Sequence, residues 1–113
     1  MKKLEMFFKL LADGNRLKIL QTIGKDERSV SEIIERTGLS QTLVSFHLRV
    51  MREARLVTAS RRGPFIYYRL SDPSLLNLLE GCGVYASELR NNEDDERPAF
   101  QWPPWRIMCR GMG

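Results

Sequence analysis

The stretch that most constrains this chain runs from Val30 to Val50, VSEIIERTGLSQTLVSFHLRV. Apolar residues at helical spacing near its start predict a first helix. Gly38 can adopt the left-handed backbone conformation that ends a helix at little cost. Ser40 follows as a natural N-cap for a second helix. A helix, a glycine-containing turn and a second helix form the pattern of a helix-turn-helix.

The second helix of this pattern carries two faces of different chemistry. Its predicted buried face has the spacing i, i+3, i+4, i+7 and consists of Val44, His47, Leu48 and Met51. The roughly opposite face consists of Thr42, Ser45, Phe46 and Arg49. That face is small, hydrogen-bonding and partly cationic, which suits an element presented to base edges and phosphates of DNA. As the only histidine, on an apolar face, His47 is interpreted as structural rather than as a metal ligand.

After the second helix the periodicity changes from helical to alternating. Residues 56–60 and 65–70 are typical of two strands, joined by a turn over residues 61–64. A hairpin with arginines at its tip, directly after a helix-turn-helix, predicts a winged helix. Arg61 and Arg62 would then reach a phosphate or an adjacent minor groove. The alternative is that both arginines are merely solvated.

The remaining sequence predicts a mainly α-helical fold with a small β-hairpin. Further helices are expected over Lys2–Ala12, over Gly14–Gly24 with Asp13 as N-cap, and from Asp72-Pro73 toward Leu89. Residues 26–29 are polar and are interpreted as a turn. The winged helix-turn-helix and dimerisation domain is expected over residues 1–90. An acidic loop and a Trp/Pro-rich tail follow over residues 91–113.

Charge placement favours a nucleic-acid partner. The chain has 113 residues and a net charge of +4. Residues 1–72 carry 14 basic and 8 acidic side chains, whereas residues 73–113 carry 4 and 6. The positive charge therefore accompanies the helix-turn-helix, as a DNA-binding surface requires. The alternative is that mild basicity has no functional meaning.

Other compositional features argue for a cytoplasmic binding protein rather than an enzyme. The sequence shows no secretory signal and no run long enough to span a membrane, so no membrane partner is expected. Two cysteines, Cys82 and Cys109, are too few for a disulfide scaffold and indicate reduced thiols. An enzyme would need a nucleophile with a base, or a metal centre, and neither is evident.

With these motifs in place, the chain resembles the ArsR/SmtB family of bacterial and archaeal repressors. The resemblance covers roughly residues 1–90. It is carried by LLADGNRLKIL (Leu10–Leu20), TGLSQTLVSFHLRVMREARLV (Thr37–Val57) and IYYRLSD (Ile66–Asp72). It implies a homodimeric winged helix that binds an inverted-repeat operator near a promoter, with the first and last helices forming the dimer interface. The stripe of Leu75, Leu78, Leu79 and Cys82 agrees with such an interface.

The same resemblance assigns Gln41, Thr42, Ser45 and Phe46 to DNA-reading positions. Phe46 departs from the polar or basic residue usual there, and we expect it to contact thymine methyl groups. The full predicted set of DNA-contacting residues is Ser40, Gln41, Thr42, Ser45, Phe46, Arg49, Arg61 and Arg62.

The family's sensor sites are absent from this sequence. Members that respond to arsenic or cadmium often carry ELCVCDL before the turn, but the two cysteine positions are Ser29 and Ser31 here. Serine hydroxyls do not replace thiolates for soft ions. The family's zinc site on the last helix needs histidine, and none follows His47.

The sequence therefore leaves the identity of the inducer open. No cofactor is required for DNA binding. Taken alone, Cys82 reads as a small buried hydrophobe. Together, Cys82 and Cys109 form a candidate metal site for trivalent arsenic or antimony or a soft metal ion, or a dithiol redox switch. A small organic inducer, and no sensor at all, are the remaining alternatives.

The sequence thus predicts a DNA-binding transcriptional regulator, a repressor that an inducer releases from its operator. The rival interpretations are a redox-responsive or ligand-independent regulator, and a winged helix that binds protein instead of DNA.

Overall fold

The computed structural model describes residues 1–89, which form five helices and three strands. In chain order these are α1 (Lys2–Leu11), α2 (Gly14–Ile23), β1 (Arg28–Ser29), α3 (Val30–Thr37), α4 (Gln41–Glu53), β2 (Val57–Arg62), β3 (Phe65–Leu70) and α5 (Ser74–Leu89). This confirms the mainly α-helical winged helix-turn-helix. The predicted acidic loop and tail, residues 91–113, lie outside the described residues.

Local capping explains where α3 and α4 begin and end. The Ser29 hydroxyl accepts from the Glu32 amide at 3.2 Å, and the Glu32 carboxylate accepts from the Ser29 amide at 3.0 Å. This reciprocal pair is a capping box, which satisfies donors that the helix itself leaves free. Gly38 ends α3 with a left-handed φ of 74°, and the Ser40 hydroxyl then accepts from the Leu43 amide to begin α4. The predicted turn is therefore confirmed.

The sheet contains one strand more than the sequence predicted. Its order is β1–β3–β2, and both pairings are antiparallel. Arg28 and Ser29 pair with Tyr68 and Tyr67 on β3. The interpretation of residues 26–29 as a turn was therefore wrong for Arg28 and Ser29, which form β1. A two-residue strand is too short to show an alternating pattern in the sequence.

The hairpin is longer than predicted, and its turn is shorter. Arg61 and Arg62 are the last residues of β2, paired with Ile66 and Phe65. The turn is reduced to Gly63 and Pro64, and Gly63 has a φ of 61°, which glycine adopts without strain. The two arginines thus project from a strand end, on alternate faces of the hairpin, and not from the turn itself.

The core lies between α2, α3, α4 and the sheet. Its fully buried side chains are Ile19, Leu20, Ile23, Ile33, Val44, Leu48 and Met51. Val57, Tyr68 and Leu70 cover it from the sheet side. The predicted buried face of α4 is confirmed in full, including His47, which is 3% exposed.

The predicted α5 stripe divides into two parts. Leu75 and Leu79 are buried in the chain's own core, whereas Leu78 is 50% exposed and Cys82 is also exposed. Within the single chain, Cys82 is therefore not part of the core, and Leu79 does not belong to an outward face. Among residues 1–89, no helix is long and apolar enough to cross a membrane.

Candidate nucleic-acid interface

The outward face of α4 holds the residues expected to contact DNA. Side chains on this face are exposed, whereas those on the opposite face lie in the core. The exposed set is Ser40, Gln41, Thr42, Ser45, Phe46 and Arg49. The Ser40 hydroxyl already accepts from the Leu43 amide at 3.1 Å, so it retains its hydroxyl hydrogen for an external acceptor.

A groove of about 360 Å³ separates this helix from the hairpin. Gln41 and Ser45 line it from α4, and Pro64 and Phe65 line it from the hairpin. The structure therefore places two residues of the predicted DNA-contacting set and the hairpin turn on two sides of one groove. Ser31 of α3 lies at the same groove and is exposed.

Phe46 and Arg49 form a joint feature on the outer side of α4. Phe46 is 45% exposed, so part of its ring is available to a ligand. The Arg49 guanidinium carbon lies 6.0 Å from the centre of the Phe46 ring. The ring offers apolar area beside a cation, a combination that suits a thymine methyl group next to a phosphate.

The two hairpin arginines differ in their surroundings. The Arg62 guanidinium forms an ion pair with Glu27 and lies 4.7 Å from the centre of the Tyr67 ring. Within the described part of the chain, Arg61 has neither an ion pair nor a hydrogen bond to its side chain. Arg61 is therefore the more available of the two for a phosphate. Arg62 instead contacts Tyr67 of β3 and Glu27 next to β1.

The buried side of α4 carries a polar contact to α2. Arg16 Nε donates to His47 Nδ1 at 3.1 Å, and Asp13 Oδ1 lies 4.0 Å from His47 Nε2. Burial lowers the pKa of His47; the Asp13 carboxylate opposes that shift and the Arg16 guanidinium adds to it. His47 is thus a structural histidine. No group of three or more possible metal ligands occurs in residues 1–89.

Ser29 and Cys82, two of the positions considered for sensing, lie on different parts of the described structure. Ser29 is buried and caps α3, and hydrogen bonding to the Ser29 backbone amide lowers the pKa of Glu32. Cys82 is exposed on α5. Cys109 lies outside the described residues, so the proposed pairing of the two thiols stays a prediction.

Three contributors to this site were missed by sequence reasoning. Glu27 and Arg16 contact residues that are distant in the sequence, so no local sequence pattern predicts their roles. The Ser29–Glu32 capping box did have a signal, since Ser-x-x-Glu before an apolar run is its usual form.

Comparison with known proteins identifies the family. A family model described as "Bacterial regulatory protein, arsR family" matches residues 13–59. The arsenical resistance operon repressor of Bacillus subtilis is 32% identical over 88 residues, covering 75% of this chain and 84% of that protein. The chain belongs to the ArsR family. The family and the fold are those of DNA-binding transcriptional regulators and not of enzymes.

Further relatives of this ArsR-family chain agree with the fold. A probable mercury resistance operon repressor of Streptomyces lividans is 41% identical over 73 residues, which are 65% of this chain and only 58% of that protein. The homodimeric winged helix-turn-helix DNA-binding domain of a possible ArsR-family regulator from Mycobacterium bovis, solved by NMR, is 30% identical. It superposes with a TM-score of 0.69 and covers 85% of this chain and 89% of that domain.

Proposed function

We propose that this ArsR-family chain is a sequence-specific transcriptional regulator that represses by binding an inverted-repeat operator. The observation that carries the proposal is the groove between α4 and the hairpin. The exposed residues Gln41 and Ser45 of α4 line one side of this groove. Gln41 and Ser45 would read bases, and Arg49 and Arg61 would bind phosphates. Because bacterial DNA lies in the cytoplasm, this function implies a cytoplasmic protein.

Homodimerisation belongs to the same proposal. Large apolar side chains are exposed on α1 and α5, the two helices expected to form the interface: Leu4, Phe8, Leu78, Tyr85 and Leu89. Such a surface is typical of a protein contact. The related Mycobacterium bovis domain is homodimeric, which supports the same assembly here. Two copies would present two α4 helices to successive major grooves, about 34–36 Å apart.

The proposed inducer is a soft metal ion or a trivalent metalloid. Two relatives are a probable mercury resistance operon repressor and an arsenical resistance operon repressor, which supports this class of inducer. Thiols are the ligands that such ions prefer, so Cys82 and Cys109 are the candidates in this chain. Cys82 is exposed in the single chain, on the helix expected to form the dimer interface.

The test is a titration of DNA binding against salt. A dimer that neutralises about six to ten phosphates should lose affinity with a log–log slope of about −5 to −9. The probes are a duplex enriched by the protein from a random-sequence pool and a random duplex of equal length. A winged helix that binds protein alone would enrich no sequence and would show no binding to random duplex at low salt.

A further inference from the structure

One guanidinium group connects the recognition helix to the first helix of the chain. Arg16 Nε donates to His47 Nδ1 at 3.1 Å, and Arg16 Nη1 donates to the Leu10 carbonyl oxygen at 3.0 Å. Leu10 lies in the last turn of α1, and His47 lies in the middle of α4. Both hydrogen bonds come from one rigid planar group, so they hold the two helices in a fixed relation.

The protonation state of His47 is part of this arrangement. An imidazole that accepts at Nδ1 is neutral and carries its hydrogen on Nε2. That hydrogen lies on the side of Asp13, whose carboxylate caps α2 by accepting from the Asn15 and Arg16 amides. The charged groups facing His47 are Asp13, the N-cap of α2, and Arg16 in α2, and the Phe46 ring is its aromatic neighbour on α4.

We propose that Arg16 is a positioning residue for DNA recognition, because it fixes α4 relative to α1 through these two hydrogen bonds. The inference rests on the proposed function, in which α1 contributes to the dimer interface and α4 reads bases. In such a dimer, the relation of α1 to α4 determines where each reading face stands relative to its copy. Base-specific contacts require both faces to meet their grooves in register.

Loss of this contact should therefore lower specificity more than general affinity. Phosphate contacts depend mainly on charge and tolerate small displacements, whereas hydrogen bonds to base edges weaken steeply when their geometry changes. The quantity to measure is the specificity ratio, the Kd for random duplex divided by the Kd for the enriched duplex.

The variants are chosen to separate the hydrogen bonds from charge and volume. Arg16→Lys keeps the charge but replaces the fork by a single ammonium group, which cannot reproduce both contacts. His47→Leu removes the acceptor, and His47→Asn supplies an acceptor near the place of Nδ1. Arg28→Lys is the matched control, because the Arg28 side chain donates to the Thr22 carbonyl and pairs with Glu32, and neither interaction involves α1 or α4.

We expect Arg16→Lys and His47→Leu each to lower the specificity ratio about tenfold, the low end of the effect of one hydrogen bond to a charged group. The double variant should lose no more than either single variant, since each single variant already breaks the connection between α1 and α4. His47→Asn should recover most of the ratio that His47→Leu loses, and Arg28→Lys should leave the ratio as in the wild type.

Thermal melting of every variant accompanies the binding measurement. A folded Arg16→Lys protein with an unchanged ratio would overturn the proposal, even if its melting temperature falls. If Arg16→Lys does not fold, wild type and His47→Asn are compared as the pH is lowered well below the ordinary histidine pKa, because burial lowers the pKa of His47 and only the protonated imidazole no longer accepts from Arg16. The wild-type ratio should then fall and the His47→Asn ratio should not; parallel curves would overturn the proposal. A wild-type protein that enriches no sequence would overturn the proposed function, and this inference with it.

Discussion

The Arg62 guanidinium stacks over the Tyr67 ring, 4.7 Å from the ring centre, and at the same time forms an ion pair with Glu27. Glu27 precedes β1, Tyr67 lies in β3 and Arg62 ends β2, so the contact draws together three neighbouring parts of the sheet. The charge of Arg62 is thereby partly neutralised before any DNA approaches.

Removing the Glu27 carboxylate should release Arg62 to a phosphate. We expect Glu27→Gln to strengthen binding to random duplex and to make the salt dependence steeper by about one unit of slope. Asp26→Asn is the control. It removes the same charge, but Asp26 is exposed and has no ion-pair partner in the described structure. Equal effects of the two substitutions would show that only net charge matters and that the ion pair does not restrain Arg62.

Reading and positioning residues should separate on two kinds of duplex. Gln41→Ala or Ser45→Ala should cost about 1–3 kcal/mol on the enriched duplex and little on random DNA. Arg61→Ala should instead weaken binding to both duplexes and flatten the salt slope by about one unit. Ser31→Ala serves as the control, since Ser31 lines the same groove from α3. Proportionate losses on both duplexes for Gln41→Ala would contradict its assignment to base reading.

The division of the α5 stripe gives a test of the dimer interface. Tyr85 is 69% exposed, so Tyr85→Asp should fold and yet shift the protein from dimer to monomer in analytical ultracentrifugation, because a carboxylate would be buried in the interface. Leu79 is 5% exposed, so Leu79→Asp should unfold the chain instead. Phe65→Asp places the same charge on an exposed hairpin residue and should remain dimeric. A dimeric Tyr85→Asp protein would move the interface elsewhere.

Stability should fall in mild acid because of His47. Burial lowers the pKa of His47 in the folded chain, so the unfolded chain binds a proton first as the pH decreases. The free energy of unfolding should be highest above the unfolded pKa of about 6.5 and should decline below it. Urea unfolding at about pH 7.5 and about pH 5.5 measures the decline. The decline should be smaller in His47→Asn, and an equal decline would assign it to other groups.

The two thiols are tested by release from DNA. Trivalent arsenic or antimony, a soft divalent metal and a mild oxidant are titrated into the complex of each protein with the enriched duplex. We expect the wild type to release DNA and Cys82→Ser and Cys109→Ser to require higher concentrations, since each removes a soft ligand. Identical release curves for all three proteins would show that neither cysteine is the sensor.

Local signals allowed much of the fold to be predicted. Gly38 and Ser40 mark the turn between α3 and α4 by their own backbone and capping preferences, and the structure follows them. Contacts across long sequence separations carry no such signal. Arg62 and Glu27 are 35 residues apart, and neither residue type nor spacing indicates their pairing.

Helical periodicity has a further limit that α5 illustrates. Leu78 and Leu79 both belong to an apolar stripe, yet only Leu79 enters the chain's own core. A stripe wide enough to cover a core also borders residues that another surface covers. How α5 packs on the rest of the domain decides which edge of the stripe is buried in the core and which is exposed. Spacing alone does not contain that information.

Ser29 has two neighbours that belong to different parts of the protein: it pairs with Tyr67 in the sheet, and it caps α3, which begins at the next residue. Ser29 therefore joins the sheet directly to the helix-turn-helix, and we expect the two parts to move together. A signal that changes operator affinity would then act mainly on the distance and angle between the two helix-turn-helix units of the proposed dimer.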